Sequence, residues 1–270
     1  MIDAPVPSFP VATRPRFTDV AMPSVLNGVS FDRHIFETVS CKGGVFKDLQ
    51  FKYVIFEDCY FRDCKFDNCN FTGAVFRNSN LRGSSFEGCD FSYCRFSNTV
   101  VHESIIQRNM PGYENVALEL ARALRVNYAQ VGDSKGVNAA ILAELQATKT
   151  HLYNAAFSRQ SYYRRKYRGV ARAQSVANYA WFKITDFVWG HGESLPKLLR
   201  LLMLVYLVVV VWGAVQGRPF RGVFSDAFTL LWGTYKGVDF TPFFFGAVTA
   251  IRLLLTGLFV TVLVRRFSKR

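Results

Sequence analysis

The sequence predicts a multi-domain membrane protein: a solenoid of short coils, a helical linker, and two transmembrane α-helices joined by a loop that re-enters the bilayer. Three observations predict it. A large apolar residue recurs at almost every fifth position from Phe31 to Phe96. Two apolar runs, 198–215 and 243–264, carry one charge each and match the length that a bilayer core demands. Half of the 270 residues are hydrophobic while the formal net charge is +13, and a chain both apolar and basic invites a membrane reading.

The charge is uneven. Residues 1–27 hold two basic and two acidic side chains, and residues 28–106 hold nine and ten. Residues 107–200 hold fourteen and six, and residues 201–270 hold eight and two, so the excess lies with the apolar runs. Five of the nine prolines fall in residues 5–23. That density marks 1–27 as an irregular leader, and no basic start followed by an apolar run suggests a cleavable signal.

The five-residue series runs Phe31, Phe36, Cys41, Phe46, Phe51, Phe56, Phe61, Phe66, Phe71, Phe76, Leu81, Phe86, Phe91 and Phe96, with Val101 and Ile106 extending it more weakly. On an α-helix, five steps of about 100° scatter such residues around the axis. On a strand, an odd step sends each ring to the opposite face. A strict five therefore needs a turn in every unit, and stacked turns make a solenoid. Two residues before the rings stand Cys59, Cys64, Cys69, Ala74, Ser79, Ser84, Cys89, Cys94 and Thr99, all small. Large and small inward positions alternate as a narrow filled core requires.

"FRDCKFDNCNFTGAVF" and "LRGSSFEGCDFSYCRF" resemble the pentapeptide-repeat family, and the resemblance covers residues 31 to about 106 within a domain spanning 28–110. It implies a right-handed quadrilateral β-helix with four pentapeptides per coil, and about four coils spaced by about 4.8 Å. It also implies an interaction module with a protein partner. The strongly acidic face of DNA-mimicking relatives is missing from so neutral a block.

Five of the six cysteines occupy the small inward register. They read as buried thiols or as a metal or disulfide set. Steps of five place Cys59, Cys64 and Cys69 on different sides of a four-sided coil, and no CxxC pair exists, so reduced thiols without metal are expected. Free cysteines in such number suit a reducing compartment.

The linker is expected over 111–194. Val116, Leu120 and Leu124, and then Ile141 and Leu145, follow helical spacing. Gly132 can stop the first helix and Asp133 can cap the second, which predicts a helical hairpin. "RQSYYRRKYRGVAR" (159–172) holds six basic residues and no acidic one. Arg164, Arg165, Lys166 and Arg168 are read as a lipid-surface patch, because they precede an apolar run. A solvated helix face and nucleic acid are the alternatives, the latter because Tyr162, Tyr163 and Tyr167 interleave with the charge. "YAWFKITDFVW" (179–189) has the aromatic content of a helix lying on the membrane.

The last domain is 195–270. Arg200 lies close enough to the end of its run to snorkel, whereas Arg252 lies mid-run. Basic residues flank the pair: Lys197 and the 159–172 cluster before, Arg265, Arg266, Lys269 and Arg270 after. The positive-inside rule then places both termini in the cytoplasm. Between the runs, "FSDAFTLLWGTY" (224–235) predicts a helix too short to cross, capped by Ser225 or Asp226. Such a segment, followed by non-helical backbone, is tolerated at membrane depth only beside protein or a water-filled path.

Here the sequence resembles the two-transmembrane pore module of potassium channels, through Thr234, Asp239, Thr241 and Pro242 laid without gaps. "WGHGESLPKLLRLL" (189–202) is similar to the segment preceding that module in bacterial pentapeptide-repeat proteins. The resemblance implies a homotetramer in the bacterial inner (plasma) membrane. Its filter would be Thr234, Tyr235, Lys236, Gly237, Val238 and Asp239, its pore helix would include Phe228 and Trp232, and its inner-helix gate Arg252 and Gly257.

The filter departs from that family. Lys236, Gly237 and Val238 stand where potassium channels carry glycine, tyrosine and glycine, and glycine is what permits the filter backbone. Four converging lysines would repel by about 4 kcal/mol per pair at about 4 Å and an effective dielectric of about 20. Lys236 then lines an anion-favouring or weakly selective path, plugs a non-conducting relic, or sits in water at the outer mouth. The expected function is an ion-channel-like protein that the repeat domain gates or assembles, with a non-conducting membrane scaffold as the rival. No enzyme, cofactor or metal is expected: His34, His102, His151 and His191 are scattered and no nucleophile–base pair or phosphate-binding loop stands out.

Overall fold

A computed structural model describes residues 14–192, 194–217, 219–234 and 241–268. They form two compact units, Met1–Asn154 and Ala155–Arg270.

The first unit begins with eleven three-residue strands: β1 (Arg16–Thr18), β2 (Val25–Asn27), β3 (Ile35–Glu37), β4 (Ser40–Lys42), β5 (Val45–Lys47), β6 (Ile55–Glu57), β7 (Tyr60–Arg62), β8 (Lys65–Asp67), β9 (Val75–Arg77), β10 (Ser85–Glu87) and β11 (Arg95–Ser97). All pair in parallel. One side stacks β1-β3-β6-β9-β11, a second β2-β5-β8-β10 and a third β4-β7. Single bridges Ser30–Gln50, Gln50–Asn70 and Asn70–Asp90 complete a fourth side. The result is a β-solenoid of about four coils.

The corner explains the period. Two residues after each inward ring the backbone turns left-handed: Thr38, Asp48, Asp58, Asp63, Asn68, Asn78 and Asn98 have φ between 47° and 55°. Asp and Asn tolerate this region better than other side chains do. Gly73 and Gly83 hold equivalent corners, where an added Cβ would strike the Tyr53 ring and the Asp63 carboxylate. A side chain at those two corners would thus have to displace the Tyr53 ring or the Asp63 carboxylate of the neighbouring coil.

Pairing partners lie twenty residues apart, as in Ile35↔Ile55 and Ile55↔Val75. On three sides a ring therefore meets another ring in the next coil, whereas Phe61 stands between Cys41 and Leu81. Phe36, Phe56, Phe76 and Phe96 form a ladder with centroid spacings of 5.2, 4.7 and 5.0 Å. Phe51, Phe71 and Phe91 form another at 5.1 and 4.9 Å. Such stacking adds to the burial of the rings themselves.

The small register binds neighbouring coils through hydrogen bonds. Ser79 Oγ accepts from Cys59 N at 3.1 Å, and Ser84 Oγ accepts from Cys64 N at 3.0 Å. The same side chains donate one coil back: Ser84 Oγ to Phe61 O at 2.7 Å and Cys94 Sγ to Phe71 O at 2.8 Å. All six cysteines are buried and free. Burial pushes the Cys59 and Cys64 thiols up to about 11, so they stay protonated and unreactive near neutrality.

Within the expected irregular leader, 1–27, the described residues 14–27 form β1 and β2 instead. Phe17 pairs with Phe36 and Ala21 with Ser40, nineteen residues away, whereas Leu26 pairs with Phe46 at twenty. The inward series extends back through Leu26, Met22 and Phe17, with a step of four rather than five from Met22 to Leu26. That one-residue deletion hides the first coil from a search for strict fives. Pro15 and Pro23 lie just outside the strands, where a missing N–H costs no ladder bond.

The expected linker also divides differently. After α1 (Ser104–Arg108) come α2 (Glu114–Gln130) and α3 (Ser134–Phe157), and the unit boundary falls inside α3. Gly132 (φ 74°) ends the first arm of the hairpin, and Asp133 Oδ1 accepts from Lys135 N and Gly136 N at the start of α3. Leu120, Leu124, Tyr128 and Ala140 belong to the same buried core as the rings, so α2 and α3 cap the solenoid.

A parallel stack leaves one coil edge unpaired, and a buried edge must find partners. Two asparagines supply them. Asn109 Oδ1 accepts from Cys89 N at 3.0 Å and its amide donates to Phe86 O at 3.1 Å. Asn127, on α2, accepts from Thr99 N at 2.8 Å and donates to Thr99 O at 2.7 Å. Each amide side chain makes bonds that a further coil would otherwise supply.

The second unit contains α4 (Ser161–Lys166), α5 (Val170–Trp189), a 3-10 turn (Gly190–Gly192), α6 (Leu195–Val215), α7 (Phe220–Trp232) and α8 (Pro242–Ser268). Its core joins Val209 and Val210 of α6, Val223, Ala227 and Leu230 of α7, and Val248 of α8.

Two substitutions test the cap. Asn127→Ala leaves Thr99 N and O buried and unpaired, and should lower unfolding stability by about 2 kcal/mol. The measurement is the urea midpoint of the β-structure signal in detergent-solubilised protein. Tyr128 is fully buried, and its hydroxyl has no partner among the described residues. Tyr128→Phe should therefore raise the same midpoint, by about 1 kcal/mol.

Candidate functional site

The features that sequence analysis marked as functional lie in the second unit. α6 and α8 are long and apolar enough to cross a membrane: Leu195–Val215 and Pro242–Val264 have mean hydropathies of 2.5 and 2.2, with only 22% and 17% of those windows buried. A core helix of a water-soluble protein would be mostly covered. At about 1.5 Å per residue, the 21 residues of α6 reach about 31 Å, the thickness of a hydrocarbon core.

α7 has 13 residues and starts earlier than expected, at Phe220. Ser225 and Asp226 lie inside it and do not cap it. Pro219 holds the N-cap position with extended backbone and no side-chain cap bond. It lacks an N–H and cannot continue a helix backwards, so the helix begins immediately after it. α7 packs closely on α6 because Gly213 is bare: a Cβ there would lie 2.8 Å from Val223 Cγ1. Trp212 of α6 stacks on Phe244 of α8 at 5.1 Å, and the Tyr206 hydroxyl donates to Phe224 O at 3.3 Å.

The expected filter is described only at Thr234, whose amide donates to Thr229 O at 2.9 Å just past α7. Tyr235, Lys236, Gly237, Val238 and Asp239 lie outside the described residues. Phe228 and Trp232 project from one face of α7, exposed and 6.0 Å apart. They line a cavity of about 560 Å³ together with Leu202 and Met203 of α6 and Arg252 of α8. Gly257 stands in open space, with nothing near an added Cβ.

Arg252 is tied to α7 within the chain. Its Nη1 donates to Leu230 O at 3.4 Å, and its guanidinium fills the space beside Gly233, which ends α7 in the left-handed conformation. The last carbonyls of a helix carry partial negative charge, so a cation is well placed there. Sequence spacing could not reveal this contact, because it depends on how α7 folds back onto α8.

The basic patch lies in α4 and just beyond it. Lys166 Nζ donates to the Tyr162 hydroxyl at 3.1 Å and sits near the Tyr162 and Tyr167 rings, at 5.4 and 5.8 Å. Arg164, Arg168 and Arg172 gather around Gly169 at a cavity of about 410 Å³. Arg165 does not line it. Arg172 joins this group although it was not singled out from the sequence.

Between α5 and α6 the chain makes an elbow that spacing alone did not mark. Gly190, His191 and Gly192 all have positive φ. Asp186 accepts from Lys197 Nζ at 2.6 Å, and the Arg200 guanidinium donates to Phe187 O at 2.8 Å while lying 4.4 Å from the Phe187 ring. His191 packs 4.2 Å from the Phe182 ring, with Nδ1 3.3 Å from Thr185 Oγ1. Its Nε2 is buried with no partner among the described residues. Burial lowers the His191 pKa, while Asp186 raises it and Lys197 lowers it to smaller degrees.

Among the described residues no cluster of three or more His, Cys, Asp and Glu could hold a metal ion.

A base whose folded pKa is depressed stabilises the fold while neutral. That contribution is complete above the unfolded value of about 6.5 and is lost as pH falls through the folded value. Acidification below about pH 6 should therefore speed backbone amide exchange at 190–192. His191→Phe should abolish that pH dependence, and hydrogen exchange followed by mass spectrometry reads both.

Residues 55–92 match the family described as pentapeptide repeats, in eight copies. Solved structures similar to part of the chain include a pentapeptide repeat protein from the cyanobacterium Cyanothece 51142, 9% identical, covering 32% of this chain and 73% of that one with a TM-score of 0.30. A plasmid-mediated fluoroquinolone resistance protein, QnrB1, is 13% identical and covers 33% of this chain and 61% of its own, with a TM-score of 0.22. A pentapeptide repeat protein of the Arabidopsis thaliana thylakoid lumen is 14% identical, covering 37% and 74% at a TM-score of 0.16. No curated protein matches the chain. From the residues matched and the four-sided stack they form, the chain carries a pentapeptide-repeat β-solenoid, followed by helices of which two are apolar and long enough to span a membrane.

Proposed function

We propose that the second unit is a two-span membrane module in which α6 and α8 cross the bilayer and α7 enters it without crossing. Copies of the chain, four by resemblance, would surround an axial path, making an ion-channel-like protein that the solenoid assembles or gates. The observation that carries this reading is the order and size of three helices. A 13-residue apolar helix, about 20 Å long, packs between two helices of spanning length. A segment that short returns to the side it came from, and its non-helical continuation needs protein or water around it. The charge pattern favours cytoplasmic termini, the resemblance implies a bacterial plasma membrane, and the repeat domain would meet a protein partner on the cytoplasmic side. The reading involves no enzymatic step and no cofactor.

Potassium selectivity is not part of the proposal. Lys236 replaces a filter glycine, and Arg252 holds a positive charge at the carbonyl end of α7. A permeating cation would be stabilised at such a helix end, and the guanidinium already occupies it. Conduction, where it occurs, is then anion-favouring or weakly selective. The same observation favours a second reading, a non-conducting membrane-anchored scaffold.

Planar-bilayer recordings of the purified full-length protein separate the two. In a channel, Lys236→Glu should shift the reversal potential under a salt gradient toward cation preference. A protein that inserts in bilayers yet passes no current with any small ion, before or after that substitution, supports the scaffold and removes the channel.

A further inference from the structure

We propose that Arg164, Arg168 and Arg172 form a binding site for the phosphate group of an anionic lipid. The inference rests on the membrane reading above and assigns a ligand within the basic patch. Arg164, Arg168 and Arg172 line one cleft of about 410 Å³ together with Tyr167 and Gly169. Two are aimed by their own anchors. Arg168 donates through Nε to Arg164 O at 3.0 Å, and Arg172 through Nε to Ala156 O at 2.9 Å. Anchored this way, each presents its two terminal nitrogens, and these meet no acceptor among the described residues.

Charge balance points the same way. None of the eight ion pairs among the described residues includes Arg164, Arg165, Arg168 or Arg172. Some arginines of the first unit are matched: Arg122 and Arg125 share Glu144, and Arg108 meets Glu87. Several guanidiniums in one concavity without a carboxylate repel one another, and an anion relieves that repulsion. The planar fork of arginine suits the tetrahedral oxygens of phosphate. Lys166, clamped by Tyr162 and Tyr167, adds charge nearby without filling the cleft.

A lipid source is favoured by the helix that follows. α5 begins one residue after Gly169 and exposes Val176, Trp181, Ile184 and Phe187 along its length. A helix that shows such residues to its surroundings and carries basic side chains lies in the interface of a bilayer. In that position its first turn, and the cleft beside it, sit at headgroup depth.

The test uses the full chain reconstituted into nanodiscs of phosphatidylcholine alone or with phosphatidylglycerol, with headgroup enrichment around the protein read by mass spectrometry of the retained lipid. The wild type should enrich phosphatidylglycerol, and R164Q/R168Q should reduce that enrichment about tenfold, equivalent to about 1.4 kcal/mol. R164K/R168K keeps the charge but not the fork. It should lose most of the enrichment, whereas general surface attraction would leave it intact. Arg172 is left in place because it also ties α5 to the end of α3.

Inorganic phosphate forms the competing arm. Displacement of phosphatidylglycerol by phosphate in the wild type, absent in R164Q/R168Q, supports a phosphate-specific cleft. Binding of phosphate with no preference for phosphatidylglycerol over phosphatidylcholine overturns the lipid source. Enrichment unchanged in R164Q/R168Q or in R164K/R168K overturns the site. Failure of the chain to enter nanodiscs at all overturns the membrane reading instead, and is distinguished by the absence of protein from the disc fraction.

Discussion

The left-handed corner two residues past each inward ring is the constraint on which the first unit depends. It closes a side in five residues, four sides make a coil, and the coil repeats at twenty. Everything else in the solenoid inherits that number. Phenylalanine stacks on phenylalanine and asparagine bonds asparagine, as Asn98 and Asn78 do at 3.2 Å. The small register bridges one coil to the next through bonds between residues twenty or twenty-three apart. Even the cap obeys it. Asn109 stands twenty residues beyond Cys89 and serves it as Ser79 serves Cys59. The helices that follow the solenoid begin as its last, incomplete coil.

How far this was legible follows from what each feature depends on. The rings from Phe31 onward could be read because their spacing is imposed locally, by a corner in each unit. The coil containing Phe17 and Met22 could not, because a single missing residue breaks the count without breaking the stack: nineteen residues can close a coil whose strands still pair. Asn127 was hidden for the opposite reason. Its role comes from a helix packed over the open end, and nothing in its neighbourhood on α2 distinguishes it from a surface asparagine. The cysteines were readable as small buried side chains, but their donation to carbonyls of the preceding coil required the stack to be built.

The second unit was read by length and apolarity, which identify α6, α7 and α8 but not how they meet. Gly213 illustrates the gap. In sequence it is one glycine near the end of an apolar run, and in the fold it is where Val223 enters. Arg252 is the sharper case. Laid along a helix it is a mid-span charge, and an interior placement follows from the cost of putting it in hydrocarbon. The fold supplies a partner that hydropathy cannot name, the carbonyl end of a helix that lies before it in the chain.

On the proposed channel reading, that pairing bears on what the module could conduct. Removing Arg252 from water is costly, and the carbonyls at the end of α7 offset part of that cost. In the proposed module the same carbonyls end a short inserted helix and would otherwise attract a permeant cation. A guanidinium bound there neutralises that field from within the chain. On the proposed pore reading, Arg252 and the Lys236 of the following loop would put two positive charges beside the path a cation would take. Two positive charges there would oppose a path for potassium. They fit either a path for anions or a module kept for anchoring, in which α7 holds α6 and α8 together and the arginine fixes it in place.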